Sequence, residues 1–202
     1  FGFIDRTGRL VLDLQEYRTD SIPTTRLGQF SEGLCVVPKS NARPNDKPNL
    51  YGYIDSNAHL LGGGFTYLEA ADFSEGLAAV RTFRKQTKGE PGWDFIDKTG
   101  SIKIKGPFEQ VQNFSQGLAA VRGHLGEPWY YINRDGQEQF HRGFELAEPF
   151  FEDRAAVRLN QKWGLINREG EAVLCPTYEN KIQAFHEGFA AVENSKYAQV
   201  DY

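Results

Sequence analysis

The side chains able to do chemistry are scattered along this chain rather than gathered. His59, His124, His141 and His186 fall at four different positions of the local pattern, so no paired or repeated ligand set for a metal emerges. Cys35 and Cys175 give neither a disulfide framework nor a metal spacing. Cys35 stands where another copy of its segment has Ala78, so it reads as a small buried residue. No serine nucleophile elbow, glycine-rich phosphate loop or His-Glu helix motif is present. Carboxylates do recur: Glu32, Glu75, Glu152 and Glu187, with Gln116 in the same row. A cation would need several of them to converge with dense oxygen ligation. One acid per segment reads instead as a turn or capping group that bonds local backbone N–H, or else as a row that holds a basic partner. Arg6, Lys98, Arg134 and Arg168 form a basic row that reads as ordinary exposed turn positions, with phosphate recognition as the sharper alternative. A spatial pair of carboxylates for glycoside hydrolysis stays open, because Asp and Glu are abundant.

These rows exist because the chain repeats itself. Phe114-Ser115-Gln116-Gly117-Leu118-Ala119-Ala120-Val121 has copies at Phe30–Leu34, Phe73–Val80, Phe150–Val157 and Phe185–Val192. Such self-similarity marks a repeat architecture. A second motif runs out of phase with it, an aromatic residue opening a short strand that ends in Asp or Asn. It occurs at Phe1–Asp5, Tyr51–Asp55, Trp93–Asp97, Trp129–Asn133 and Trp163–Asn167, with a worn copy at Tyr197–Asp201. The units predicted by these motifs are 1–50, 51–92, 93–128, 129–162 and 163–196, with a final strand over 197–202. The apolar runs are short, β-branched or aromatic, and bounded by turn residues, which predicts strands.

Each aromatic strand leads into a turn such as Asp97-Lys98-Thr99-Gly100 or Asn133-Arg134-Asp135-Gly136. There the Asp or Asn side chain can bond the backbone two residues on, and Gly supplies a left-handed conformation. Ala58 replaces that Gly in the second unit, which predicts a distorted turn. Each unit reads as a three-stranded meander: the Ala-Ala-Val strand, the aromatic strand and a short segment such as Ile102–Ile104. A fourth short strand fits in the connector. Ala-Ala-Val strands, apolar on both faces, need neighbours on both sides. A lone meander is marginal in water, so stability belongs to the array. Gly beside the aromatic allows close backbone approach.

These residues resemble the WG β-repeat proteins, found mostly in bacteria, along essentially the whole chain. Trp survives as Trp93, Trp129 and Trp163, and only the last keeps its Gly. The resemblance implies an all-β fold with a binding role and no common enzymatic activity. The expected architecture is an array of five meanders stacked as an open superhelix, with a propeller-like closed ring as the alternative.

Composition narrows the rest. The net charge of −4 disfavours a dedicated nucleic-acid binder, and no apolar run reaches the length of a membrane helix. Unpaired cysteines lean toward a reducing compartment such as the cytoplasm. The chain opens in mid-motif and contains no methionine, so it reads as a fragment or processed form.

Function is expected where the repeats differ, in the loop between the Ala-Ala-Val and aromatic strands. That loop shortens along the chain, over 38–50, 81–92, 122–128, 158–162 and 193–196, and its first two copies are rich in Lys and Arg. Insertions at one repeat position project from one face, often the binding face, and a basic face suits an acidic partner. The candidate partner-binding residues are Lys39, Arg43, Lys47, Arg81, Arg84, Lys85, Lys88, Arg122, His124 and Arg158, with no catalytic or metal residues and no cofactor expected. The expected function is a non-catalytic protein–protein interaction scaffold. The alternative is a carbohydrate or cell-wall binder, or a glycan hydrolase, using Trp93, Trp129, Trp163 and Tyr51 as a sugar-stacking ladder. Against that ladder, the position of these aromatics beside the strand Gly favours a place in the core.

Overall fold

The computed structural model describes residues 2–4, 6–13, 28–39, 50–62, 64–83, 91–184 and 187–192. Among them there is no helix, and the strands form several small antiparallel sheets, none closed into a barrel. The chain divides into two compact halves, Phe1–Pro107 and Phe108–Tyr202. In the first, β1 (Gly2–Ile4) pairs with β2 (Leu10–Asp13), and β3 (Leu34–Lys39) pairs with β4 (Leu50–Asp55). A four-stranded sheet follows, from β5 (Glu69–Ala70) through β6 (Leu77–Phe83) and β7 (Pro91–Asp97) to β8 (Ile102–Phe108). The second half holds two more sheets of the same order. One runs from β9 (Gln110–Val111) through β10 (Leu118–Arg122) and β11 (Trp129–Asn133) to β12 (Glu138–Phe144). The other runs from β13 (Leu146–Ala147) through β14 (Ala155–Leu159) and β15 (Lys162–Ile166) to β16 (Ala172–Tyr178).

The connector thus contains a fourth strand, two residues long, in each of these three sheets. A sheet starts there and ends on the strand after the aromatic one, so its phase differs from the units drawn at the aromatic residue. Counted by the Phe-Ser-Glu-Gly block, β3–β4 belong to the first repeat, β5–β8 to the second, β9–β12 to the third and β13–β16 to the fourth. Ile182–Val192 opens the fifth.

The central strands feed two cores, as alternating side chains must. Leu34 and Val36 join Tyr51, Tyr53 and Phe73 on one side of β3. Cys35 and Val37 join Ile54 and Phe3 on the other. In β14, Ala155 and Val157 face a core with Trp129, Tyr131, Phe144 and Phe150, and Ala156 faces one with Trp163, Leu165 and Ile182. Within each half, these strands therefore bury their faces against an adjoining repeat.

The turn after the aromatic strand is built as its sequence predicts. The Asp97 carboxylate accepts N–H bonds from Thr99 at 2.8 Å and Ser101 at 3.2 Å. Asn133 does the same for Asp135 and Gln137, and Asn167 for Glu169 and Glu171. The Thr99 hydroxyl, with the Thr99 N–H, holds the Asp97 carboxyl below its ordinary pKa. The second-unit turn is not distorted. Ala58 takes the left-handed φ of 65° that Gly100 takes at 83°, and Asp55 still accepts from Asn57 and His59. The network of bonds around Asp55 overrides the Cβ clash, which costs roughly 1 kcal/mol.

Candidate binding site

Among the expected partner-binding residues, three occupy one equivalent position. Arg81, Arg122 and Arg158 each follow Ala-Ala-Val, where the apolar pattern stops but the strand continues. They therefore lie in β6, β10 and β14, which corrects their placement in loops. Across the ladder, Arg81 faces Trp93 and Arg158 faces Trp163, and the Arg122 guanidinium lies 5.6 Å from the Trp129 ring centroid. On the other side, the connector brings a carboxylate to Arg81 and Arg158. Arg81 Nη1 donates to Glu69 at 2.6 Å, and Arg158 pairs with Glu145 at 3.8 Å. In all three arginines the Nε is buried without a hydrogen-bond partner. Packing along the stem fixes each side chain, while about a third of Arg81 and Arg158 stays exposed. An arginine restrained by a carboxylate or by a neighbouring aromatic ring has lost part of its rotamer freedom in advance, which suits it to recognition.

The rest of the expected site divides. Lys39 ends β3 with its Nζ 5.4 Å from the Phe65 ring centroid. His124 is exposed in the loop 123–128, where its N–H bonds Glu127 at 3.1 Å. Arg43, Lys47, Arg84, Lys85 and Lys88 lie outside the described residues. The fourth loop is only Asn160-Gln161, both with positive φ, the pattern of a two-residue type I′ hairpin. Its expected charges, Arg158 and Lys162, belong to strands instead. In the third loop the single formal charge is Glu127. A basic loop character is thus confined to the first two loops.

The repeated block has a different job. In Ser31-Glu32-Gly33-Leu34 the two end residues exchange backbone bonds of 2.9 and 3.0 Å. Glu32 and Gly33 have φ of 52° and 88°, again a type I′ turn. Left-handed Glu recurs at Glu75, Glu152 and Glu187, with Gln116 in the same state. Such turns favour Asn or Asp with Gly, so the longer side chain must recover the cost elsewhere. It does so in the next repeat. Glu32 accepts the Gly76 N–H at 2.9 Å, Gln116 accepts that of Asp153 at 2.9 Å, and Glu152 accepts that of Gly188 at 2.8 Å. The expected local cap is thus a cap on the neighbour. Ser31 and Ser115 add bonds from their hydroxyls to the Phe73 and Phe150 carbonyls.

Two of the basic row close the same joints. Lys98 Nζ lies 3.1 Å from the Glu32 carbonyl oxygen and 2.9 Å from its carboxylate. Arg168 donates to the Gln116 carbonyl at 2.8 Å and sits 3.8 Å from Asp153. The hydrogen bond from Lys98, then that of the Gly76 N–H, holds the Glu32 carboxyl below its ordinary pKa. Lys98 and Arg168 are therefore inter-repeat links, neither free turn residues nor a phosphate row.

A model of the WG containing repeat matches three times, over residues 93–122, 129–163 and 163–197. From residue 93 to 197 the chain belongs to the WG containing repeat family. No curated protein and no solved structure matches it. Membership points to a repeat binding module.

The WG signature acquires a reason from the geometry. A Cβ on Gly164 would lie 2.5 Å from the Leu174 oxygen and 2.8 Å from the Pro176 nitrogen, so the third strand of the repeat presses against that glycine. On Gly52 a Cβ would meet the Gly64 oxygen at 2.9 Å. Where Asp94 stands in that position, its buried carboxylate accepts the Gly106 N–H at 2.8 Å and the Thr82 hydroxyl at 2.9 Å. Sequence reasoning missed Asp94, although an acid directly after the WG-repeat tryptophan was the signal. The WG tryptophans Trp129 and Trp163 are 5% and 6% exposed and Tyr51 is 8% exposed, so these rings are core rather than stacking platforms.

The remaining reactive groups stay apart. Among the described residues no three of His, Cys, Asp and Glu gather for a metal. His59 pairs with Asp55 at 3.3 Å on the surface, and His141 sits in a bulge of β12 with φ of 43°. Burial, and then the Asp72 carboxylate, push the Cys35 thiol up to about 11, and its Sγ lies 3.2 Å from the Gly28 oxygen. Such a thiol is inert.

Proposed function

We propose that this protein is a non-catalytic scaffold that binds a protein partner. Its contact surface is the strand-end arginines and the adjoining loops. The observation that carries this reading is the equivalent placement of Arg81, Arg122 and Arg158 at one strand position, Arg81 and Arg158 opposite a tryptophan and about a third exposed, Arg122 near the Trp129 ring. Arginine held in this way is a typical interface hot spot. Glu32, Glu152, Lys98 and Arg168 are engaged in joining repeats, so they are poor candidates for partner contact. The burial of Trp129, Trp163 and Tyr51 weighs against sugar stacking. An acidic patch on the partner matches the exposed guanidiniums and the basic sequence of the first two loops. The open form of the array belongs to this proposal, and fluorescence transfer between labels in the first and fifth repeats tests it against a ring.

The test begins with cross-linked affinity capture, using the full chain, to identify the partner. Calorimetry then compares the wild type with Arg122→Glu/Arg158→Glu and with Arg84→Glu/Lys85→Glu/Lys88→Glu, after melting curves verify folding. Affinity at least tenfold weaker in either variant is expected. Unchanged affinity in both would overturn the reading.

A further inference from the structure

Two joints between repeats are bridged by a tyrosine that a third replaces with leucine. In the first repeat Tyr53 is fully buried, and its hydroxyl donates to the Ala71 carbonyl of the second at 2.6 Å. In the third repeat Tyr131 is fully buried, and its hydroxyl donates to the Glu148 carbonyl of the fourth at 2.6 Å. In the fourth repeat the corresponding residue is Leu165, two after Trp163 as Tyr131 is two after Trp129. The corresponding carbonyl is that of Gln183. Ala71, Glu148 and Gln183 hold one register, donating their N–H groups to Ala79, Ala156 and Ala191 respectively.

Leucine is smaller than tyrosine and has no donor for that carbonyl. Two further substitutions open the same joint. Phe151 replaces the serine of Ser31 and Ser115 and is 41% exposed, and Arg154 replaces the leucine of Leu34 and Leu118. What results is a groove of about 130 Å³, floored by Ala156, Leu165 and Ile182 and reaching Gln183. A cavity of roughly 150 Å³ lined by apolar side chains takes one benzene ring. Around the groove stand Arg154, Lys181 and Glu148, with Lys181 Nζ 2.7 Å from Glu148 Oε1. Two cations against one carboxylate leave the rim net positive.

We infer that this groove receives a tyrosine side chain of the partner protein, from a segment with acidic residues beside that tyrosine. The chain itself supplies the template twice, since Tyr53 and Tyr131 are phenols lodged in the equivalent joint. The incoming hydroxyl donates to the Gln183 carbonyl, its ring covers Leu165 and Ala156, and the flanking acids meet Arg154 and Lys181. This inference rests on the reading that the chain binds a protein, but its residues are different ones.

The experiment titrates the full chain with the capped peptide Glu-Tyr-Glu and its Phe counterpart, followed by amide and methyl chemical shifts. Shifts centred on Ala156, Leu165, Ile182 and Gln183 are expected, with the Tyr peptide about three- to tenfold tighter, the worth of one hydrogen bond. Leu165→Tyr should raise the melting temperature and cost at least tenfold in peptide affinity, because it fills the groove as Tyr131 fills its own. Should that variant fold poorly, Arg154→Glu gives the second reading through weaker binding of the acidic peptide. No shifts at these residues, equal affinity for the two peptides, or undiminished binding to Leu165→Tyr would each overturn the inference. Arg122 and Arg158 do not line the groove, so loss of the peptide site and loss of the arginine surface are separable results.

Discussion

Between the third and fourth repeats, Tyr131 bridges the joint inside a core of ten buried residues. Between the fourth and fifth, Leu165 holds the same position, packed among the described residues with Ala156, Trp163 and Ile182, beside a groove. One joint has the tyrosine hydroxyl, the serine hydroxyl of Ser115, the amide cap from Gln116 and the cation Arg168. Of these four elements the other retains, among the described residues, the amide cap of Glu152 on Gly188. The difference separates two uses of one design. A filled joint transmits stability along the array, whereas an incomplete joint leaves room for something from outside. In repeat proteins stability is a sum of nearest-neighbour terms, so a change in one joint should be read mainly there.

The contrast can be broken most severely at its tyrosine. Tyr131→Ala should cost about 3–5 kcal/mol in urea denaturation, because it empties a dry core and leaves the Glu148 carbonyl unpaired. Leu165→Ala should cost clearly less, since it only widens a groove that is already open. Equal losses would mean that the joints do not differ as described.

Gly164→Ala comes next. Its methyl would strike the Leu174 and Pro176 backbone, at a cost of about 1–3 kcal/mol, and thermal melts of the purified variant would report it. Ser115→Ala should lose about 1 kcal/mol, whereas Phe151→Ser in the incomplete joint should lose nothing and improve solubility. Ala58→Gly should gain about 1 kcal/mol by releasing a left-handed alanine.

The smallest effect is electrostatic and concerns pH. The folded-state pKa of Glu32 is depressed by Lys98, so its contribution is complete above the ordinary carboxylate range. It is lost as pH falls through the lower, folded value. Urea midpoints between about pH 2 and 6 should therefore fall less steeply in Lys98→Met than in the wild type. Identical acid limbs would remove Lys98 from the joint.

The legible part of the fold was the part written locally. Asp97, Asn133 and Asn167 with a glycine three residues on predict their turns, because donor and acceptor lie within four residues. Burial of the Ala-Ala-Val strands on both faces was likewise readable from their composition. Features set by contact with another repeat were not readable in this way. Glu32 and Lys98 carry no sign in the sequence that they will meet 66 residues apart, since strand pleat and left-handed turn geometry aim them only after stacking. At Arg81, Arg122 and Arg158 a charge ends the apolar pattern and predicts a loop, yet the ladder runs on through them. The groove was hidden for a third reason: Tyr131 and Leu165 are both ordinary strand residues, and only the joint geometry reveals that the Tyr131 hydroxyl has no counterpart at Leu165.

The central claim is that the repeated acid of one repeat caps the turn of the next. Amide hydrogen exchange of Gly188 in Glu152→Ala tests it most directly. Without the carboxylate the Gly188 amide should exchange at least about tenfold faster, whereas Gly136, bonded to Asn133 within its own repeat, should keep its rate. An unchanged Gly188 rate would contradict the account.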